Sequence, residues 1–337
     1  MNELDPAIPP IETAPPPVFK DRSAGLIVFG ILTLLLGCLA GLSVPLMVFG
    51  QMMAAKVPNA PPANHAAIVQ VTGIYGTLAV ALIWLGIGSI GARRWARDLL
   101  LIFSWSWLII GIVLTALMPF VMGKVMASIP PKTGQPTMPP AAITGMIIGM
   151  TVFFAIFFVL VPAVWTYFYN SRHVKATCAA RNPVPCWTDA CPLPVLGFSL
   201  WTWLAAPMML VLLLAGHPVM PFFGVFITGL PCALFCVIVA AVWGCAGWWL
   251  YRLDIRGWWL ILVAMVVFMA SGVLTYAHHD IIEMYQLQGL SQVQIDQIQK
   301  MGLFTGNDMG WFTVLCSLPF LGYLVFIKKY FRKEVGP

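Results

Sequence analysis

The sequence predicts an all-α polytopic membrane protein, with about eight transmembrane helices arranged as two parallel four-helix repeats. Three observations predict it. Hydrophobic residues make up 60% of the chain and charged residues only 9%, whereas charged residues are about 25% of a soluble domain; mean hydropathy is +0.89. Eight apolar runs of spanning length follow one another, at about 24–51, 67–92, 98–122, 141–169, 195–216, 219–250, 257–278 and 309–327. Landmarks in the first four recur in the second four.

In chain order, residues 1–23 form an acidic-then-basic, Pro-rich tail expected to be disordered. Its acids Glu3, Asp5 and Glu12, and the length of the apolar run that follows, argue against a cleaved signal peptide. Residues 24–172 hold the first four-helix unit, 173–194 a polar hinge, and 195–331 the second unit. The stretches KVPNAPPANH and SIPPKTGQPTMPP are Pro-rich connections that favour extended backbone. Before the last span, GLSQVQIDQIQKMG predicts an outer helix at about 292–301. Ser291 and Gln294 form a capping box there, Leu290 and Ile295 take staple positions and Gly302 is the stop.

Charge orients the spans. With the N-terminus in the cytoplasm, fourteen Lys and Arg residues fall inside and four (Lys56, Lys124, Lys132, Lys300) outside, every Arg being inside. Both termini are then cytoplasmic. The net charge of +6 reflects this orientation, and nucleic acid is not an expected partner.

The repeat rests on spacing. Trp84, Arg93 and Arg97 form W-x8-R-x3-R, and Trp243, Arg252 and Arg256 repeat it 159 residues later. Pro162, Arg172 and Lys175 are echoed at an offset of 157 by Pro319, Lys329 and Arg332, and Pro45-Leu46-Met47 more loosely by Pro207-Met208-Met209 at 162. An even number of spans per unit makes the copies parallel.

Charges within a span usually mark an ion or substrate path, and here all acids and bases fall in tails, loops or helix ends. The polar groups left inside the runs (Gln70, Tyr75, Thr77, Ser104, Ser106, Thr151, Thr166, Thr228, Ser271) are expected to bond to backbone or to neighbouring helices. GxxxG pairs at Gly37/Gly41 and Gly145/Gly149 read as either bundle packing or a dimerisation face. In the hinge, His173, Cys178, Cys186 and Cys191 lack the tight C-x2-4-C knuckle of structural zinc sites. His278, His279, Asp280 and Glu283 crowd the outer end of the seventh span. His279 and Glu283, four apart, are the weak candidates for a metal or proton site. No catalytic, metal or cofactor site is assigned.

The hinge closes on Trp187-Thr188-Asp189-Ala190-Cys191-Pro192-Leu193-Pro194. Thr188 or Asp189 is expected to cap the fifth span, with the prolines at its start and Trp187 at headgroup depth. With Cys178 before it, this stretch resembles an uncharacterised group of bacterial multi-pass membrane proteins that carry a WTDxCPLPVL-type signature between two hydrophobic halves. The resemblance implies a bacterial inner membrane and carries no activity.

The expected function is a non-catalytic scaffold, assembly or sensory component, with membrane lipids and either other membrane subunits or a second copy as partners. The alternative is a facilitative carrier or channel for a neutral or amphipathic solute at the interface of the repeats. A lipid-acting enzyme using the His278–Glu283 cluster comes third.

Overall fold

The computed structural model describes residues 19–54, 65–128, 139–215, 218–301 and 306–331. Most of the tail, the central parts of both Pro-rich connections, Gly302 and Arg332 lie outside the described residues. Eight helices among the described residues are long and apolar enough to cross a membrane. They comprise α1 (Ser23–Ala54), α2 (His65–Ile90), α3 (Arg94–Ser128), α4 (Pro140–Ala155) continued through a π-turn (Ile156–Leu160) into α5 (Val161–Asn170), α7 (Leu193–Val211), α8 (Gly229–Tyr251), α9 (Ile255–His278) and α12 (Gly306–Ile327). The all-α polytopic class stands.

Between the halves lie α6 (Arg172–Arg181) and a short 3-10 turn (Trp187–Ala190). The hinge thus holds a helix and a turn ahead of the fifth span. Ser171 caps α6 by accepting from the His173 N–H, and the helix stops at Asn182, where Pro183 and Pro185 cannot continue it. At the opposite end of the bundle, Asp280 caps α10 (Ile281–Leu287). The predicted outer helix is α11 (Gln292–Met301). Both halves of its capping box form: the Ser291 N–H donates to Gln294 Oε1 at 3.0 Å and the Gln294 N–H to Ser291 Oγ at 3.4 Å. Ile295 is buried and α11 lies against α3, over the mouth of the bundle.

The expected spans 195–216 and 219–250 are corrected. Helix α7 stops at Val211, and a hairpin of β1 (Val219–Phe222) and β2 (Val225–Thr228) precedes α8. Its two-residue turn, Phe223-Gly224, has φ of 42° and 92°, the primed-turn geometry that matches strand twist. Helix α9 bonds part of the hairpin backbone. Ser271 Oγ accepts from the Phe223 N–H (3.0 Å) and donates to the Pro221 carbonyl (3.1 Å), while Thr275 Oγ1 accepts from the Gly224 N–H (3.0 Å).

Packing is set by glycines at helix crossings. On α2, a Cβ at Gly86 would come 2.8 Å from the Gly30 carbonyl of α1; on α8, a Cβ at Gly247 would come 3.2 Å from the Ser199 carbonyl of α7. On α3, a Cβ at Gly111 would overlap the Phe158 carbonyl of the π-turn; on α9, one at Gly272 would come 3.0 Å from Thr313 of α12. Both pairs are 161 residues apart. So are the turns between α2 and α3 and between α8 and α9. In each, a non-glycine residue at positive φ (Ala92, 49°; Leu253, 59°) donates three residues back. The following N–H, of Arg93 or Asp254, donates five back, which is the Schellman pattern.

Of the two GxxxG pairs, Gly37 and Gly41 face Ile83 and Ala79 of α2, whereas Gly145 and Gly149 have open space around them. The buried core is in two clusters, one per half. The first holds Leu26, Leu100, Trp165 and Tyr169, and the second Val195, Leu250, Trp258 and Ile261. Both sit at the end of the bundle that carries the short turns and the hinge, hereafter the basic end. Across the halves, the Trp201 indole N–H on α7 donates to Ser106 Oγ on α3 at 2.7 Å, and Gly197 lies against Ile102.

Gly111→Leu drives a side chain into a backbone carbonyl and is expected to cost about 1–3 kcal/mol or more by overpacking. Gly145→Leu, into open space, should stay within about 0.5 kcal/mol of the parent. Thermal unfolding of both in one detergent would reveal the contrast; equal melting temperatures would show that the α3–α4 crossing is looser than described.

Candidate functional site

The first turn of α3 carries the densest polar construction in the described protein. Helix α3 begins where Ala92 reverses the chain, so Arg97 and Asp98 stand in its first turns, a helix end as the sequence implied. Both are nevertheless buried, each 6% exposed. Arg97 Nη1 meets Asp98 Oδ1 at 2.7 Å, and Arg97 Nε donates to the Tyr169 carbonyl of α5 at 3.0 Å. The second carboxylate oxygen, Asp98 Oδ2, accepts from the Thr188 hydroxyl of the hinge at 2.9 Å. A buried ion pair is sustained only when its remaining donors and acceptors are bonded, and the hinge supplies one of those bonds.

A second chain of hydrogen bonds runs beside it. Ser89 Oγ donates to the Leu26 carbonyl of α1 at 3.0 Å and lies 2.7 Å from Tyr169 Oη. Because Ser89 has one proton and Leu26 takes it, Tyr169 is the donor in the second bond. Thus α1, α2, α3 and α5 meet in one polar knot.

The signature residues surround this knot. Trp187, Thr188 and Asp189 lie in the 3-10 turn, and neither Thr188 nor Asp189 caps α7, whose N-cap is Pro192 with no side-chain bond. Instead Asp189 pairs with Arg94 of α3 at 3.1 Å and accepts from the Cys186 N–H at 2.9 Å. Burial works against the Asp189 carboxylate, yet the Cys186 hydrogen bonds and the charges of Arg94 and Lys175 outweigh it and hold its pKa below 3.8. Toward the second half, Tyr251 Oη of α8 donates to the Trp187 carbonyl (3.0 Å) and Tyr323 Oη of α12 to the Pro194 carbonyl (2.9 Å). Cys178 belongs to the first core cluster and Cys191 to the second. Burial pushes each thiol up to about 11, in Cys178 against the opposing pull of Arg97, so both are inert, protonated fillers at neutral pH. Further back, the Arg22 N–H donates to Thr177 Oγ1 of α6 (3.1 Å), and Asn182 Nδ2 donates to the Ala92 carbonyl (2.9 Å).

The repeat landmarks are dispersed. Trp84 stacks on Trp95 at 4.2 Å, Arg252 lies over Trp248, and Trp243 packs near Phe268 with its indole N–H buried and unpartnered among the described residues. Pro162 and Pro319 each lie within the last span of their half. Trp258 stands 161 residues after Arg97, and its Nε1 donates to the Leu324 carbonyl of α12 at 2.7 Å.

At the opposite end, His279 and Glu283 do meet, Nδ1 to Oε2 at 2.7 Å. The premise of one continuous helix is corrected: His279 is the extended residue ending α9 and Glu283 belongs to α10. Among the described residues, no three His, Cys, Asp or Glu side chains gather to hold a metal. Of the polar residues inside spans, Ser104, Ser106 and Thr151 bond the carbonyl one turn back, while the Thr166 hydroxyl is buried without a partner among the described residues.

Two cavities accompany these features. One, about 220 Å³, lies between α8 and α9 under the hairpin and is lined by apolar side chains such as Phe222, Phe235, Val263 and Phe268, with Ser271 at its edge. The other, about 310 Å³, opens at the basic end between the first turn of α3 and the Arg181–Cys186 segment. No protein-family model matches the chain, and no curated protein or solved structure matches it.

Sequence reasoning missed Arg97–Asp98 as a buried pair, Tyr169 and Ser89 as its neighbours, and Thr275 as a hairpin anchor. A usable signal was a carboxylate beginning an apolar run, since Asp98 stands directly before Leu99-Leu100-Leu101.

Thr188→Val leaves Asp98 Oδ2 unbonded and is expected to cost about 1–3 kcal/mol. Asp98→Ala leaves Arg97 buried and uncompensated, at about 3–5 kcal/mol. Thr188 Oγ1 also lies 3.0 Å from Cys186 Sγ, so the double variant should lose less than the sum of the two single losses, and fully additive losses in denaturant titrations would refute the coupling. For Asp189, whose folded pKa is depressed, the contribution is present above pH 3.8 and lost as pH falls through the depressed value. The stability gap between the parent and Asp189→Asn should therefore narrow on acidification and stay flat between pH 6 and 8, read as melting temperature against pH.

Proposed function

We propose that this chain is a non-catalytic membrane component, a scaffold, assembly or sensory subunit, that presents a lipid-embedded flank to a partner. The observation that carries this reading is the contrast along α4–α5. The stretch Pro140–Ala155 has no buried residue, while Pro162, Trp165, Thr166 and Tyr169 farther along the same span are buried. One end of the span is locked and the other is uncovered. The uncovered part includes Gly145 and Gly149, small residues that let another helix approach closely. The filled contact between halves, Gly197 on Ile102 and Trp201 on Ser106, also fits a scaffold better than a conduit.

We further infer that the two halves are duplicated parallel units. The Gly86/Gly247 and Gly111/Gly272 crossings and the Ala92/Leu253 turns, all at offset 161, support this more strongly than the Trp and Arg spacing. The excess of Lys and Arg at the basic end supports a cytoplasmic placement of that end and of both termini. The WTDxCPLPVL-type resemblance supports a bacterial inner membrane.

A second reading, facilitative movement of an apolar or amphipathic molecule, draws on the cavity between α8 and α9. That cavity lies within the second half, whereas a repeat-based carrier places its path between halves.

Native mass spectrometry of the gently solubilised protein tests the proposal. A stoichiometric protein partner or a second copy is the expected result, and Gly145→Leu combined with Gly149→Leu should abolish it while leaving the melting temperature unchanged. A monomer holding a small apolar molecule would overturn the scaffold reading in favour of transport.

A further inference from the structure

We propose that the cavity at the basic end is a binding site for a phosphate group, as carried by an anionic phospholipid headgroup or by a soluble phosphate. Three arginines line it, Arg93, Arg94 and Arg181, together with Trp95 and the Asn182–Cys186 segment. Its volume of about 310 Å³ accommodates a phosphate with a short polar arm.

The cationic charge there is only partly met. Arg94 is paired with Asp189 at 3.1 Å. Arg181 lies 3.9 Å from Asp21, with both side chains at least half exposed, a geometry that contributes little. Arg93 Nη1 donates to the neutral Asn182 Oδ1 at 3.0 Å, and no carboxylate among the described residues pairs with it. An arginine has five N–H donors in a planar fork suited to phosphate oxygens, so Arg93 keeps its full charge and most of its donors. The first turn of α3 adds the positive end of a long helix dipole at the same place.

Several features make this a shaped site rather than a scatter of interfacial arginines. Asn182 is fixed from the other side by its bond to the Ala92 carbonyl, so it orients Arg93. The rim Pro183-Val184-Pro185 has two residues of fixed φ. Trp95 is held flat against Trp84, the rings 4.2 Å apart at 20°. The depth is also right for a lipid phosphate: α2 leaves and α3 enters the apolar zone here, with Arg93 between the two spans and Arg94 the first residue of the second. Basic pockets between helices at such depths take anionic headgroups.

The test compares the full chain with R181Q, with R93Q/R181Q, and with R252Q, which removes an arginine from the same end but outside the cavity. Native mass spectrometry would count retained lipid after exchange into phosphatidylglycerol or phosphatidylcholine, and thermal unfolding would be followed with and without millimolar inorganic phosphate. Phosphatidylglycerol should be retained over phosphatidylcholine, about fivefold less by R181Q and about 20-fold less by the double variant, with R252Q unchanged. Stabilisation of the parent, but not the double variant, by inorganic phosphate without lipid preference would identify a soluble phosphate as the ligand. Equal losses in R252Q and R181Q, or indifference of the parent to both lipid charge and phosphate, would overturn the proposal. Arg181 is half exposed, so R181Q tests the site even where the double variant fails to fold.

Discussion

The buried pair of Arg97 and Asp98 is the constraint from which the rest of the basic end follows. Taking two charges out of water costs several kcal/mol per ion unless every remaining donor and acceptor is bonded. In the first turns of α3, beside the apolar zone, water is not the ready source of those bonds. Arg97 therefore reaches the Tyr169 carbonyl and Asp98 reaches Thr188. Each bond fixes a different piece of chain: the first holds α5 to α3, the second pins the hinge. Once Thr188 is pinned, Asp189 is carried to Arg94 and Cys191 into the second core. The hinge thus acts as a clamp with one face on each half, and its polarity serves attachment more than flexibility.

Helix packing within each half obeys a separate rule. In lipid there is no hydrophobic drive between helices, so association depends on close backbone approach and on hydrogen bonds. Gly86 and Gly247 allow the first two helices of each half to touch, and Gly111 and Gly272 do the same for α3 on α4 and α9 on α12. The Phe158 carbonyl occupies the place of a side chain at Gly111 because a π-turn lies there. In α12 no π-turn stands among the described residues; the second half has instead the hairpin before α8, tied down by Ser271 and Thr275. The two halves agree at their crossings and diverge where those crossings leave room.

Span number and class were legible because the bilayer imposes them: about 20 apolar residues are needed per crossing, and that requirement is local in sequence. The small helix α11 was legible for a related reason, its capping box lying within four residues. The hairpin was not, since VMPFFGVFIT is as apolar as the spans beside it, and hydropathy cannot separate strand from helix. Its local signals were the Phe223-Gly224 pair and Pro221. The polar knot was illegible because Asp98 and Thr188 are ninety residues apart and nothing local pairs them. The offsets read from the Trp, Arg and Pro landmarks, 157 to 162, differ from the 161 shared by the glycine crossings and the turns, and there is a physical reason for the scatter. Trp and Arg at helix ends are positioned by the membrane boundary, which tolerates a shift of a residue or two, whereas a glycine at a helix crossing tolerates none.

Comparison of Arg97 with Trp258 explains why a charge is present at all. Standing 161 residues apart, each donates a side-chain N–H to a backbone carbonyl of a later span, α5 for Arg97 and α12 for Trp258, at 3.0 and 2.7 Å. Trp258 does so as a neutral donor, with Lys328 Nζ 4.5 Å over its ring. Holding the third and fourth spans together therefore does not require an ion pair; an indole suffices. What the ion pair adds in the first half is Asp98, and what Asp98 adds is Thr188. The cost of burying two charges is offset by a bond that fixes the connection between the halves. A neutral donor at residue 97 would hold α5 as well but leave Asp98, the acceptor of the Thr188 bond, buried without its charge partner, so the charge serves the attachment of the hinge to the first four spans.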